Sequence, residues 1–354
     1  MKQKIRVKNK YFRRYLGVIF ASLFFILGPF SGTALADAGF TVTESSGSTA
    51  VSESGSTDTF TVVLDEQPSS DVVFSVSTGD SGEATVSPTT LTFTSGNWNS
   101  AQTVTVTGVN DDLIDGSQTT TITLSVVDAI SDDDFDSLAD KTVSVSTTDN
   151  DTASFTVAQS SGSTAVSESG STDTFTVVLG AQPASNVVIS VTSGDTGEAT
   201  VSPGTLTFTS GNWNSAQTVT VTGINDDLVD GTQTSTTTMS VVDASSDNNF
   251  DSLADQTVSV TTADTDVAGF TKIESGGSTT VAESGTTDTF TVVLDAQPAS
   301  NVVISVTSND TTEATVSPAT LTFTSGNWNS AQTVTVTGIN DDLVDGTQTS
   351  TTTM

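Results

Sequence analysis

The stretch Leu-Thr-Phe-Thr-Ser-Gly-Asn-Trp-Asn-Ser-Ala-Gln-Thr-Val-Thr-Val-Thr-Gly occurs three times unchanged, at Leu91–Gly108, Leu206–Gly223 and Leu321–Gly338. Its tryptophans, Trp98, Trp213 and Trp328, stand 115 residues apart. That period exceeds the ~20 to 50 residues of a solenoid coil and matches one complete small domain per copy. The chain therefore reads as an array of like modules. The period sets them at 39–151, 154–266 and 269–354, the third ending before the counterpart of Ser240 through Asp266. An unpaired sandwich edge is an aggregation liability, so the expectation is a piece of a longer reading frame.

Each copy has the alternation of β-strands. In the second, Thr174–Leu179 puts Phe175, Val177 and Leu179 on one face, Leu206 pairs with Phe208 in the same way, and Val219 with Val221. With Phe155–Val157 joined to Val166, and with Val187–Thr192, Thr234–Val242 and Thr257–Thr261, about seven strands fill the repeat. Turn residues at Gly162, Gly170, Pro183, Gly197, Pro203, Gly211 and Gly231 separate them. No segment after the N-terminal region has helical periodicity. The fold class expected is all-β: tandem Ig-like antiparallel β-sandwiches in a rod-like array. Short linkers, Asp149–Ala153 and Asp264–Ala268, require neighbouring modules almost to touch.

Seven of the nine basic residues fall within the first fourteen, an apolar run follows from Tyr15 to Leu27, and Ala34-Leu35-Ala36 offers a cleavage site. Residues 1–36 thus read as a secretory signal peptide, the apolar run being short of the ~20 residues that span a bilayer. The expected location is secreted or cell-surface, with no membrane insertion of the mature chain. From Asp37 on, only Lys141 and Lys272 face 42 carboxylates, a balance that excludes nucleic acid as a partner and favours cations. There is no cysteine and no histidine. Disulfides, thiolate metal sites and a cysteine nucleophile are therefore excluded, and zinc and copper are disfavoured.

The acids cluster in loops while strand faces carry Thr and Ser, which points to sites more than to general solvation in high salt; Asp as an ordinary turn former is the competing explanation. Four acidic positions vary between copies and read as plain solvent exposure: Asp65 with Gly180, Glu66 with Ala181, Asp71 with Asn186, and Asp133 with Asn248. Others recur. In a sandwich with alternating strand directions, the turn after the first strand, the loops after the third and fifth, and the chain exit emerge at one pole. This gathers Glu53, Asp80, Glu83, Asp111, Asp112, Asp115, Asp149 and Asp151 in the first module. The second gathers Glu168, Asp195, Glu198, Asp226, Asp227, Asp230, Asp264 and Asp266, and the third Glu283, Asp310, Glu313, Asp341, Asp342 and Asp345. So many carboxylates in one place call for a hard cation, and Ca²⁺, which takes ~6 to 8 oxygen ligands, is the expected cofactor.

The order Val-Ser-Glu-Ser-Gly, Phe-Thr-Val-Val-Leu, Leu-Thr-Phe, Gln-Thr-Val-Thr-Val-Thr-Gly, Asn-Asp-Asp-x-x-Asp-Gly and a closing Asp-x-Asp resembles the Calx-beta repeat, a calcium-binding sandwich. The resemblance covers Gly39 to Met354. It implies that Glu168, Asp226, Asp227, Asp264 and Asp266 ligate calcium. The function expected is a calcium-stiffened structural or adhesive region of an exported bacterial surface protein, with cell-surface or matrix ligands engaged through other regions. The alternative is a non-catalytic carrier region of a larger secreted enzyme; a calcium sensor is a third reading, disfavoured by near-identical modules. The flanked tryptophans read as corner packing and not sugar stacking. Two lysines and no His or Cys make an enzyme in this region unexpected.

Overall fold

The computed structural model describes residues 38–344 and 346–354, so the segment read as a signal peptide, like Asp345, lies outside the described residues. The first copy folds into nine strands: β1 (Phe40–Glu44), β2 (Thr49–Ser52), β3 (Thr57–Leu64), β4 (Val72–Thr78), β5 (Ala84–Ser87), β6 (Thr90–Phe93), β7 (Gln102–Gly108), β8 (Gln118–Val126) and β9 (Lys141–Thr148). The second repeats them as β10 (Phe155–Gln159), β11 (Thr164–Ser167), β12 (Thr172–Leu179), β13 (Val187–Ser193), β14 (Ala199–Ser202), β15 (Thr205–Phe208), β16 (Gln217–Gly223), β17 (Gln233–Val241) and β18 (Gln256–Ala263). Among the described residues the helices are single 3₁₀ turns.

Two sheets face each other in each of the first two copies, ordered β1-β3-β7-β5 against β2-β9-β8-β4-β6, and β10-β12-β16-β14 against β11-β18-β17-β13-β15. The alternation seen in the sequence is what fills the space between them. Phe175, Val177, Val219 and Val221 from one sheet meet Val187, Ile189, Phe208, Met239, Val258 and Val260 from the other, all essentially inaccessible to solvent. The first copy has the equivalent cluster, including Phe60, Phe74 and Phe93, with Phe74 and Phe93 edge to face at 6.0 Å. Burying one such ring contributes about 1.5–3 kcal/mol, and with no disulfide this burial is the main source of stability.

Two differences from the expected strand pattern have the same origin. Where one strand was expected at each copy's start, the chain forms two, because after β1 and β10 it crosses to the opposite sheet. There β2 and β11 pair in parallel with β9 and β18, as in Thr164 with Val260, so the sandwiches are not wholly antiparallel. Asp173 fixes the crossing: its carboxylate accepts from the Ser160 hydroxyl (2.6 Å), the Ala165 amide (2.9 Å) and the Thr174 amide (2.7 Å), contacts that lower its pKa. Asp58 and Asp288 do the same in the other copies. The other strand not foreseen, β14, is four residues long and pairs with β16.

The thrice-repeated Asn-Trp corner packs as expected. Asn212 Oδ1 accepts from the Thr209 amide (2.6 Å), the Trp213 carbonyl accepts from the Leu179 amide (3.2 Å), and the indole lies partly buried against the core.

The third copy contains β19 (Phe270–Glu274), β20 (Thr287–Leu294), β21 (Val302–Ser305), β22 (Thr307–Ser308), β23 (Ala314–Ser317), β24 (Thr320–Phe323), β25 (Gln332–Gly338) and β26 (Thr352–Thr353). Its first sheet, β19-β20-β25-β23, matches the others, while the second is reduced to the pairs β21-β24 and β22-β26. The segment around Val281 forms no strand, since the partner of β2 and β11 elsewhere, β9 or β18, has no counterpart before Met354.

Successive sandwiches touch directly. The Ile114 amide donates to the Gln182 carbonyl (3.2 Å), the Gln182 amide donates to the Asp112 carbonyl (2.7 Å), and Ile114 joins the apolar cluster of the second sandwich. One of the four variable positions therefore needs correction. Asp65 with Gly180, Asp71 with Asn186 and Asp133 with Asn248 are exposed as expected, but Ala181, the counterpart of Glu66, is 1 % exposed and belongs to that same cluster.

Candidate metal centre

Parallel pairing decides what stands at the pole. Because β11 and β18 run the same way, their C-terminal ends lie side by side, and the Glu168 amide donates to the Ala263 carbonyl at 3.1 Å. Glu168, at the end of β11, thereby meets Asp264 and Asp266 at the end of β18. One carboxylate oxygen from each of the three lies within 4.8 Å of the other two, and Glu53 with Asp149 and Asp151 repeats the triad.

A glycine clears the ground for the glutamate. Strand β16 passes over the end of β11 so closely that a Cβ on Gly223 would sit 2.1 Å from the Ser167 carbonyl oxygen; Gly108 meets Ser52 in the same way. No side chain fits in that gap.

Backbone amides set the acids in place. Asp264 Oδ2 accepts from the amides of Asp230 (3.0 Å) and Gly231 (2.7 Å), and its Oδ1 from that of Asp266 (2.7 Å). These contacts lower its pKa, the Gly231 bond most. Asp149 accepts the same set from Asp115, Gly116 and Asp151. Glu168 Oε2 accepts from the Thr265 amide (3.0 Å) and Glu53 Oε2 from that of Asn150 (3.2 Å).

The remaining oxygens have no such partners. Glu53 and Glu168 are 1 % and 2 % exposed, yet Glu53 Oε1 receives no hydrogen bond, and neither do buried oxygens of Glu83, Asp115, Asp151, Glu198 and Asp266. An orphaned buried carboxylate oxygen is costly in water-free surroundings. Burial, then repulsion from Asp149, Asp111 and Asp151, pushes the Glu53 carboxyl up against the Asn150 hydrogen bond. Burial followed by Asp115, Asp111, Asp80 and Asp149 does so for Glu83, and burial followed by Asp149, Asp112 and Asp111 for Asp151. Glu168, Glu198 and Asp266 are raised by burial and then by Asp264, Asp226, Asp266, Asp230, Asp195 and Asp227 in corresponding combinations.

The expected residues are thus brought together unequally. Asp80 and Asp195 are exposed and use one oxygen on their own turns, accepting from Gly82 (2.8 Å) and Gly197 (2.9 Å). Asp111 and Asp226 likewise accept from Leu113 and Leu228 (2.8 Å each), and they are among the charges that raise Glu53 and Glu168. Asp112 and Asp227 are exposed, and Asp115 and Asp230 lend their amides to Asp149 and Asp264. In the third copy Glu283, Glu313 and Asp341 are half-buried, while Asp310 and Asp342 are exposed and bond within their own loops to Thr312 and Asn340. The two closely grouped acid triads among the described residues belong to the first two copies.

The donor set fits a hard divalent cation: every group is oxygen, several are buried, and Glu53, Glu83, Asp115, Asp151, Glu198 and Asp266 each keep an unpartnered buried oxygen there, as Asp136 and Asp251 do in the loops before β9 and β18. No family model matches this chain, and no curated protein does. Among solved structures it is similar to the calcium binding domain CBD12 of CALX1.1, at 15 % identity and TM-score 0.25, over 57 % of this chain and 79 % of that one. It is also similar to domains 4 and 5 of the S-layer protein SbsC, at 16 % identity and TM-score 0.25, over 64 % of this chain and all of the other. Domains 1–6 of the same surface layer protein align over 90 % of this chain and 40 % of theirs, at 14 % identity and TM-score 0.27.

Proposed function

We propose that this chain is a calcium-binding structural or adhesive repeat region of an exported surface protein, built from Calx-beta-like units at 39–151, 154–266 and 269–354. The observation that carries the reading is the triad of a buried glutamate and two half-buried aspartates, repeated at Glu53, Asp149, Asp151 and at Glu168, Asp264, Asp266, with buried carboxylate oxygens that no protein donor reaches. Bound Ca²⁺ would be held by these residues, with Asp111, Asp112, Glu83 and Asp115 adjoining in the first unit and Asp226, Asp227, Glu198 and Asp230 in the second. It would supply positive charge and take these oxygens as ligands, and no reaction is assigned to it.

Ion binding reaches the junction through one loop. Asp111, Asp112 and Asp115 flank Leu113 and Ile114, which contact the next sandwich, while Asp149 clamps the same loop through the Asp115 and Gly116 amides. Neutralising the acids would steady the loop and with it the angle between units.

Removing repulsion from the folded state alone stabilises it. Millimolar calcium should therefore raise the melting temperature of the full chain, by about 5 °C or more, and a chelator should reverse the gain. Glu53→Gln with Glu168→Gln should raise the ion-free melting temperature and abolish most of the calcium shift. A calcium-independent melting curve at low ionic strength sinks the proposal.

A further inference from the structure

The junction is a peg and a socket, and the socket differs at the first sandwich. At the first junction the peg is Leu113-Ile114, bridged in parallel to Gln182; Ile114 is 9 % exposed, and its carbonyl accepts from Asn249 Nδ2 at 3.1 Å. At the second junction Leu228-Val229 repeats the bridge to Gln297. The Val229 amide donates to the Gln297 carbonyl (3.3 Å) and the Gln297 amide to the Asp227 carbonyl (2.6 Å). Both sockets have a buried alanine before the glutamine, Ala181 and Ala296.

The corresponding face of the first sandwich carries Glu66 before Gln67, and Asp134 in the place of Asn249. Glu66 is half-buried and Gln67 exposed. A glutamate there occupies the space that alanine leaves for the peg, and Asp134 can accept hydrogen bonds but, ionised, donates none to a peg carbonyl. Every peg loop also carries aspartates on both sides, so two further carboxylates on the socket repel it. Meanwhile the third sandwich presents Leu343, 63 % exposed, and Val344, fully exposed, at the peg position.

We infer that residues 66, 181 and 296, aided by 134 and 249, decide which sandwich faces accept a peg, and that Glu66 and Asp134 cap the first face against the peg of a second chain, Leu343-Val344 where that peg is free. A peg meeting a remote socket is a heterologous contact that does not close on itself, so an accepting first face would allow chains to join head to tail without limit. Within one chain the short linker supplies the effective concentration that a contact this small needs. The cap therefore leaves the covalent junctions intact while blocking the intermolecular one.

Two variants of the full chain test this. Ala181→Glu with Asn249→Asp turns an internal socket into a cap. The Ile114 and Gln182 amides should then exchange hydrogen at least about tenfold faster, while Val229, Gln297 and the strand amides keep their protection. Glu66→Ala with Asp134→Asn turns the cap into a socket. Sedimentation at about millimolar protein should then show mass growing with concentration, where the unaltered chain stays monomeric, and adding Val344→Asp should return it to monomer. Unchanged exchange at Ile114 in the first variant overturns the inference. So does a second variant that stays monomeric, or one whose association survives Val344→Asp.

Discussion

Asp132 and Glu53 are both buried carboxylates on loops, and their surroundings give them opposite roles. Asp132 Oδ2 accepts from the amides of Ser69 (2.6 Å) and Ser70 (2.8 Å) and from the Ser69 hydroxyl (2.8 Å), and its Oδ1 from the Asp134 amide (3.1 Å). These donors lower its pKa from 3.8 to about 2. The folded state consequently binds its proton less readily than the unfolded chain does. Its stabilisation is complete above about pH 4 and disappears as the pH falls toward 2. Asp132→Asn keeps the shape but loses the charge and an acceptor, so it should cost about 1–3 kcal/mol at pH 7 and flatten this acid limb, as urea melts from pH 2 to 7 would measure. A variant as stable as the parent at pH 7 would mean the four contacts contribute nothing. Glu53 has one amide and several aspartates instead, a poverty of donors that the proposed cation would offset.

At the level of elements, the crossing of β2 and β11 into the second sheet determines both the parallel pairing and the meeting of glutamate with the exit aspartates. The crossing depends on the bare backbone of Gly108 and Gly223. Gly223→Ala must push β16 off β11, since its Cβ would fall within 2.1 Å of a carbonyl oxygen belonging to backbone and not to a flexible side chain. The expected result is a loss of about 2–4 kcal/mol and weaker calcium binding at Glu168, with binding at Glu53 intact. Titration calorimetry on the full chain would check it. Two undiminished classes of site would show that the crossing tolerates a methyl group.

For the whole molecule, the arrangement is directional: each sandwich offers a peg at one end, the second and third receive one at the other, and the acid pole adjoins the peg. Bending between sandwiches therefore requires the Leu113-Ile114 or Leu228-Val229 contact to open, and repulsion among the neighbouring acids favours opening when no cation is bound. Small-angle scattering should show a narrow distribution of shapes with calcium and a broader one with chelator. Ile114→Asp, which places a charge in an apolar socket, should broaden the distribution even with calcium present. Superimposable profiles in all three conditions would separate calcium binding from stiffening.

Alternation along a strand is local physics, since a residue and its second neighbour must both face the core, so Phe175, Val177 and Leu179 announced the sandwich without knowledge of their partners. Counting strand directions likewise sufficed to place Glu168 and Asp264 at one pole. Which acids lose their water was not legible, because Glu53 and Asp112 look alike in a sequence and differ only in what folds over them: the Glu53 carboxylate meets the Asn150 amide 97 residues away. The same limit hid the socket. Glu66 and Ala181 read as an exposed position that drifts, until the fold laid the preceding sandwich's Ile114 against Ala181. Periodicity records that a side is buried, whereas desolvation and docking are properties of the segment that lies across, and only the tertiary structure chooses that segment.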